Sequence, residues 1–359
     1  METRTKVTIS AIDVRALSAE DLVDLNAFQN EMRAESNPED RWPSVEEFGA
    51  MLANIPSFIR AWAWLGRDEK GNAVCRARLM SPDGGDNPHV AMVDIAVLPG
   101  WRRQGNGRRL LREVVEAAQG AGKTLLMGNT TEQVPAGADF CEWIGARPGL
   151  DAHMNRLVLV DVDRAMVQRW VQEGPTRAPG YELIGFDGPC PAELEEQVVS
   201  VLDVMSTQPR GDLDALPPGL YQHVSVEQFR ERQRWTEAQG NDPWWLFARH
   251  VDSGILVGLT DVWWNPNQPD TVWQGATGVH PDHRGHALGK WLKAAMLERI
   301  LVERPKVVDI RTGNADSNDA MLGINHALGF RPFVANTTWQ VEVDRVAERL
   351  ASSPNTRGQ

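Results

Sequence analysis

Two short stretches carry residues in an order that could hold a phosphorylated ligand. From Pro99 the chain reads PGWRRQGNGRRLL, and from His280 it reads HPDHRGHALGKW. Each sets an arginine, small residues and a further basic residue on a turn that opens a helical run. A helix that starts there leaves its first N–H groups without intrahelical acceptors, and its dipole adds partial positive charge at the same end. Glycine in the turn lets a ligand approach the backbone where a Cβ would block it. Arginine or lysine beside the turn neutralises charge, so the natural guest is a pyrophosphate. Two common phosphate loops are excluded. The dinucleotide motif GxGxxG closes a first βα unit and is followed by an acidic residue about 20 positions later, whereas these loops follow an antiparallel meander. The pattern GxxxxGK[ST] is absent.

The elements that position the two loops occur twice. In the first half, KVTISAIDV alternates as a strand, and Ser18 caps the helical run AEDLVDLNAFQNEMRAES. Ser44 and Glu47 are spaced as a capping box. Three strand runs follow (SFIRAWAWLG, AVCRARLMS and HVAMVDIAVL), then the loop, a helix, the strand KTLLMGN, a helix near AGADFCEWIG and the strand MNRLVLVDV. The second half repeats this order from YELIGF through Ser225, the meander WWLFARHV, GILVGLTDVWW and TVWQGATGV, the second loop and its helix, VVDIRTG, NDAMLGINHALGF and TTWQVEV. Gly107 and Gly289 lie 182 positions apart in 359 residues, so a whole domain is duplicated. The expected division is a first domain at 1–172, a Pro/Gly linker at 173–180, a second domain at 181–345, and a helical end with a frayed tail at 346–359. DRAMVQRWV has helical spacing and is expected to brace the two domains.

This pattern resembles the GNAT (GCN5-related) N-acetyltransferase superfamily, whose motif A is [R/Q]xxGx[G/A] at a helix start after the fourth strand. Arg102, Arg103, Gln104, Gly105, Asn106 and Gly107 match it fully. Arg284, Gly285, His286, Ala287, Leu288 and Gly289 match with alanine for the first motif glycine. A V-x-P step precedes each, at Val97 and Val279. An asparagine-bearing helix ending in GF follows in the second half (Asn314, Asn318, Gly329, Phe330), with a degraded counterpart in the first. The resemblance implies an α/β fold of two tandem domains, each a mixed, largely antiparallel sheet flanked by helices, with a V-shaped cleft between strands four and five. It implies acetyl-CoA as co-substrate, bound through the two loops including Arg108 and Lys290, with Val97 and Val279 offering main-chain hydrogen bonds and Asn314 and Asn318 nearby. An amine would attack the thioester directly, and a carboxylate would serve as general base.

The chain departs from the family pattern at the chemistry. The tyrosine that protonates the leaving thiolate in many members stands five residues before the GF phenylalanine; here Cys141 and Asn325 hold that position. The acidic residue three positions before the strand-four valine is Asp94 in the first half and Ala276 in the second. Asp94 and Asn325 are therefore the candidate catalytic residues, with His280, Asp282 and Asp261 as further candidates for a base in the second half. The intact asparagine motif favours the second half as the acetylating one.

Composition bounds the rest. A net charge of −12 and three dispersed cysteines without a CxxC pair argue against a nucleic-acid binder and a zinc site. They suit a cytoplasmic protein with no metal and no membrane span, as monomer or homodimer. An acidic chain suits a cationic acceptor. Acetyl transfer to a small-molecule amine is the leading expectation; the alternatives are a protein or peptide N-acetyltransferase and a non-catalytic acyl-CoA sensor. Of the 14 tryptophans, Trp244, Trp245, Trp263, Trp264 and Trp273 fall on the second meander, as core or as pocket lining. Glu39, Asp40, Asp212 and Asp214 lie on loops where this family shapes its acceptor site.

Overall fold

The computed structural model describes residues 6–83, 86–217 and 223–352; Tyr221 lies outside them. In the first half the elements are β1 (Thr8–Ile12), α1 (Ala19–Ser36), α2 (Val45–Ala53), β2 (Ile59–Arg67), β3 (Ala73–Pro82), β4 (Val90–Val97), α3 (Asn106–Gly120), β5 (Leu125–Thr131), α4 (Ala136–Trp143) and β6 (Arg147–Val158). The second half has α5 (Arg164–Arg177), β7 (Tyr181–Asp187), α6 (Glu195–Leu202), α7 (Val226–Ala238), β8 (Asp242–His250), β9 (Leu256–Trp264), β10 (Thr271–Val279), α8 (Leu288–Glu303), β11 (Asp309–Ala315), α9 (Asp319–Leu328), β12 (Arg331–Glu342) and α10 (Val343–Ser352). Local chemistry sets the helix starts. The Ser18 side chain accepts from Asp21 N–H, and both capping boxes form, Ser44 with Glu47 and Ser225 with Gln228.

The chain forms two compact units, and their boundaries correct the expected division. One unit holds residues 1–150, 210–218 and 336–359; the other holds 151–209 and 219–335. In the first unit the sheet runs β1-β2-β3-β4-β5-β12. All its pairs are antiparallel except β4 with β5, which are parallel over Val90–Met92 and Leu125–Met127. Its last strand is residues 336–342, from the far end of the sequence, and α10 packs Val343, Val346 and Leu350 into the core with Leu110, Val114 and Ala118 of α3. In the second unit the sheet runs β6-β11-β10-β9-β8-β7, with β10 and β11 parallel and the rest antiparallel. Residues 152–158 of β6, expected to complete the first domain, pair with β11 instead. Alternation marks β6 and β12 as strands but is silent on their partners.

The expected linker is also corrected. Residues 173–177 close α5, which carries Pro175 inside it and packs on α8 of the second unit. Gly174 is buried there because a Cβ would overlap the Trp291 indole. The loop around Asp212 and Asp214, expected to shape an acceptor site in the second half, belongs to the first unit. Asp212 N–H donates to Gly149 C=O at 2.7 Å, and Asp214 pairs with Arg147.

The tryptophans of the second meander serve packing and cation–π contacts. Trp245 stacks on Phe247 with ring centroids 6.0 Å apart, and Trp244 lies under Arg299 and Arg304 at 4.0 and 4.7 Å.

Candidate active site

The first unit contains a cavity of about 610 Å³ in the angle where β4 and β5 part. Their ladder ends at the Met92–Met127 pair, and beyond it the two strands diverge as lining residues of the cavity. The Pro99–Arg108 loop forms one end. Val97, Arg102, Arg103, Gln104, Gly105, Gly107 and Arg108 line it, and Asp94 lines it further along β4. Sequence reading therefore brings eight residues to one place in this unit. Asn106 is the exception: it is buried, and its Nδ2 donates to Trp101 C=O at 3.0 Å, tying the loop to its preceding turn.

The loop has the backbone an anion needs. The first intrahelical bond of α3 runs from Arg109 N–H to Gly105 C=O, and the N–H groups of residues 103–107 find no acceptor among the described residues. Arg103 and Gly105 are both left-handed, at φ 60° and 88°. The second unit repeats the same two left-handed positions, at Gly285 (87°) and Ala287 (57°). Each loop thus holds one non-glycine residue in a costly conformation, at alternate places, and the strain is kept in both copies. There the first helical bond runs from Trp291 N–H to Ala287 C=O.

The first motif arginine has a different task from the one expected. Arg102 Nε donates to Val97 C=O at 3.0 Å, and its Nη1 donates to Glu35 of α1 at 2.7 Å. Arg284 Nε donates to Val279 C=O at the same 3.0 Å, with Nη2 on Thr207 at 2.9 Å. In both units this arginine locks the end of the strand to the loop, so the valine carbonyls are already engaged. Arg103 makes no hydrogen bond or ion pair among the described residues, and Arg108 lies over Trp143 at 5.2 Å. Arg103 is the charge left for a ligand at the loop, with Arg108 beside it on the cavity wall.

Asp94 lies where sequence places it, but its state is not that of a base. One oxygen, Oδ2, accepts from Arg76 at 3.0 Å and from Arg78 at 2.8 Å. Burial opposes ionisation, yet the two guanidiniums outweigh it and hold the carboxyl well below the usual carboxylate range. A carboxylate that acidic takes a proton poorly. Asp94→Asn is expected to weaken the first unit towards the lower end of the roughly 3–5 kcal/mol seen when a buried ion pair loses one partner. Arg76 is 5% exposed and would keep its charge with no counter-ion, although the Asp94 side chain itself is 43% exposed. Because the folded state lowers this pKa, the stabilisation is present above the ordinary value of 3.8 and is lost as pH falls from there towards the much lower folded value. Urea titrations of parent and variant at pH 7 and at the lowest pH where the parent stays folded test this; equal midpoints at pH 7 would refute it.

Cys141 also lines the cavity. Burial and Glu142 push its thiol up to about 12, so it stays protonated and is a weak proton donor. Asn325, the corresponding residue of the second unit, is fully buried, and its Nδ2 donates to Asn314 Oδ1 at 2.7 Å. Asn314 and Asn325 thus occupy one another, and Asn325 has no proton to give. The Asn318 side chain is used as the N-cap of α9, accepting from Met321 N–H. The side chains of the asparagine motif are thus held by bonds within the motif. His286 lies tilted against Tyr181 with centroids 5.3 Å apart, Lys290 Nζ lies over Trp170 at 5.2 Å, and Leu288 is buried.

The two units differ most beside the strand-four valine. Val97 pairs with Cys75, and Val279 with Gly258. One and three residues onward, β3 carries Arg76 and Arg78 while β9 carries Leu259 and Asp261. Asp261 is 2% exposed, and burial pushes its carboxyl up to about 7. Gly275 makes room for it, because a Cβ there would overlap Oδ2.

Several cavity residues give no motif signal: Met32, Phe140, Trp143 and, from β12, Trp339, Gln340 and Val341. Two arginines in the otherwise apolar run AVCRARLMS were a signal available for Arg76 and Arg78. No cluster of histidine, cysteine and acidic residues fit to hold a metal occurs among the described residues, and no helix there is long and apolar enough to cross a membrane.

Comparison with known proteins fits this geometry. Residues 26–142 match the acetyltransferase (GNAT) family. A tandem GNAT protein from the clavulanic acid biosynthesis pathway is 28% identical, with a TM-score of 0.76 over 94% of this chain and 99% of its own. A GCN5-related N-acetyltransferase from Sphaerobacter thermophilus shares the fold at 15% identity, with a TM-score of 0.62 over 93% and 96% of the two chains. No curated protein sequence matches significantly.

Proposed function

We propose that this chain, which belongs to the GNAT superfamily of acetyltransferases as a tandem two-domain member, acetylates the primary amine of a small molecule with acetyl-CoA, and that the first unit does so. The observation that carries the reading is the 610 Å³ cavity joining the loop of free N–H groups to Asp94 across the parted strands. The first-unit residues fit a nucleotide thioester: unpaired donors at residues 103–107, Arg103 and Arg108 for phosphate charge, and an apolar wall of Val93, Ile95, Leu111 and Phe140 for a flexible arm. When bound, acetyl-CoA supplies the acyl group as a thioester.

The chain's own part is to bind and orient. Asp94 remains ionised and attracts an ammonium group to the acceptor end. It does not take the proton, which passes to water in the open cavity. The neutral amine nitrogen then forms a bond to the acyl carbon while the carbon–sulfur bond breaks, and the second proton that nitrogen sheds passes through the same water to the departing thiolate. The departing thiolate is a good leaving group and needs no acid, consistent with Cys141 remaining a thiol.

Gly107→Trp tests the reading. A Cβ at Gly107 already meets Phe140 at 3.3 Å, so an indole must fill the phosphate end of the cavity. Calorimetric titration with acetyl-CoA is expected to lose binding in this variant, and CoA release with amines is expected to vanish with it. Gly289→Trp, where a Cβ meets Ile324 at 3.3 Å, is expected to leave turnover in place. Loss of turnover with Gly289→Trp alone would move the chemistry to the second unit. Binding without release for any amine would favour the acyl-CoA sensor.

A further inference from the structure

We infer that the acceptor end of the first-unit cavity binds a carboxylate, so that the amine it receives belongs to an amino acid or a related amino-carboxylate. The inference rests on the acetyl-transfer reading for the fate of the amine, but the carboxylate site stands on its own contacts.

Three guanidiniums gather where α1 meets β3 and β4. Arg76 Nη2 and Arg78 Nη2 both donate to Asp94 Oδ2, and Arg76 Nε donates to Gln29 at 3.0 Å. Two positive charges thus share one carboxylate oxygen. Asp94 Oδ1 has no partner among the described residues, and Asp94 lines the cavity. Buried donors are left over as well: Arg76 Nη1 and Arg78 Nε have no acceptor. Arg33, on the turn of α1 next to the cavity residue Met32, is half-buried. It makes no hydrogen bond or ion pair among the described residues, and its charge faces Asp40 and Arg78. Positive charge therefore exceeds negative here, in a chain whose net charge is −12. Arg76 Nη1 and Arg78 Nε are closed to solvent, so a ligand would meet the exposed parts of the Arg78 and Arg33 guanidiniums, and a planar carboxylate is the group such a fork fits.

The second unit shows that the sheet itself does not require these charges. It has the same strand order, with Leu259, Asp261 and Ala276 at the positions equivalent in sequence to Arg76, Arg78 and Asp94, although its ladder shifts register between Gln274 and Thr277. The arginines are a property of the first unit: they hold Asp94, which lines its cavity, while Arg76 and Arg78 themselves border a smaller recess with Gln29 and Phe48. An amino-carboxylate satisfies both signs: its ammonium meets Asp94 Oδ1 while its carboxylate meets the guanidiniums. The acidic whole-chain charge suggests a purely cationic acceptor; the local charge points the other way.

The test is direct binding to the full chain, with and without CoA. Glycine, β-alanine, 4-aminobutyrate and 5-aminopentanoate are each titrated beside their carboxamides. At least one acid is expected to bind about tenfold or more tighter than its amide, the size of a charged hydrogen bond. Arg33→Met, which orphans no partner, and Arg78→Met are each expected to bring acid and amide to similar affinity while acetyl-CoA binding is unchanged. Equal affinities in the parent, no acid binding, or a preference that survives both variants would overturn the inference. CoA release is scored separately: acid preference without release keeps the carboxylate site and removes acetyl transfer, while release with amides as fast as acids does the reverse.

Discussion

Ending the chain after Ala335 is expected to unfold the first unit, although its remaining residues include the whole GNAT-matched segment 26–142. The truncation removes the strand paired with β5 from Leu125 to Thr131, together with α10. Val341, Val343, Val346 and Leu350 all leave the core. At about 1.5–3 kcal/mol for each fully buried aliphatic side chain, the loss rivals the whole 5–15 kcal/mol stability of an ordinary domain. Leu110, Leu111 and Val114 of α3 would lose their cover, and the wall of the cavity made by Trp339, Gln340 and Val341 would go with them. The fragment 1–172 should fail for the same reason. Circular dichroism melts of both fragments against the full chain decide the matter. A cooperative first-unit transition in the 1–335 fragment would show that β12 and α10 are dispensable.

Lys293→Leu and Asp261→Asn are each expected to stabilise the second unit at pH 7, with opposite pH profiles. Both side chains are 2% exposed, and Lys293 occupies the place that Leu111 holds in the first unit. Burial alone brings the Lys293 ammonium down to about 7, with the Phe330 ring 5.1 Å from Nζ as its neighbour. Between its ordinary value and 7 the unfolded lysine holds a proton that the folded one lacks, so stability rises with pH across that window and the penalty is complete below it. Asp261 is the mirror case. Its pKa is raised from 3.8 to about 7, so its stability is whole below 3.8 and falls as pH climbs to 7. Near pH 7 both penalties are in force. Each group is moved from its ordinary value to about 7, so each neutral substitution is expected to return up to about 4 kcal/mol there. The Lys293→Leu gain should shrink towards pH 10, and the Asp261→Asn gain towards pH 4. Denaturant midpoints across pH 4–10 read both slopes; a gain independent of pH in either variant would show that its charge was never the cost.

Much of the first unit's cleft was legible in the chain because its signals are local. A loop of arginine and glycine before a helix fixes where the free N–H groups lie, and the same loop 182 residues later declares a duplication. Ser18, Ser44 and Ser225 fixed helix starts, since a cap is satisfied within three residues. Position along β4 also placed Asp94 in the cavity.

What the sequence could not decide is whatever depends on partners distant in the chain. The protonation state of Asp94 comes from Arg76 and Arg78 across the ladder, and that of Asp261 from the burial around it. That Asn325 donates to Asn314 within the asparagine motif is seen only in the fold. β6 and β12 have the same alternating pattern, and nothing in that pattern says that residues 336–342 close the first sheet while residues 152–158 enter the second. Strand propensity is set by each residue's own side chain, whereas strand pairing is chosen by the hydrophobic faces and hydrogen-bond edges that remain open once the rest of each sheet has formed. The sequence by itself therefore carried the family resemblance and the place of the two loops; only the tertiary structure decided which strands build each unit and which charged side chains meet across each ladder.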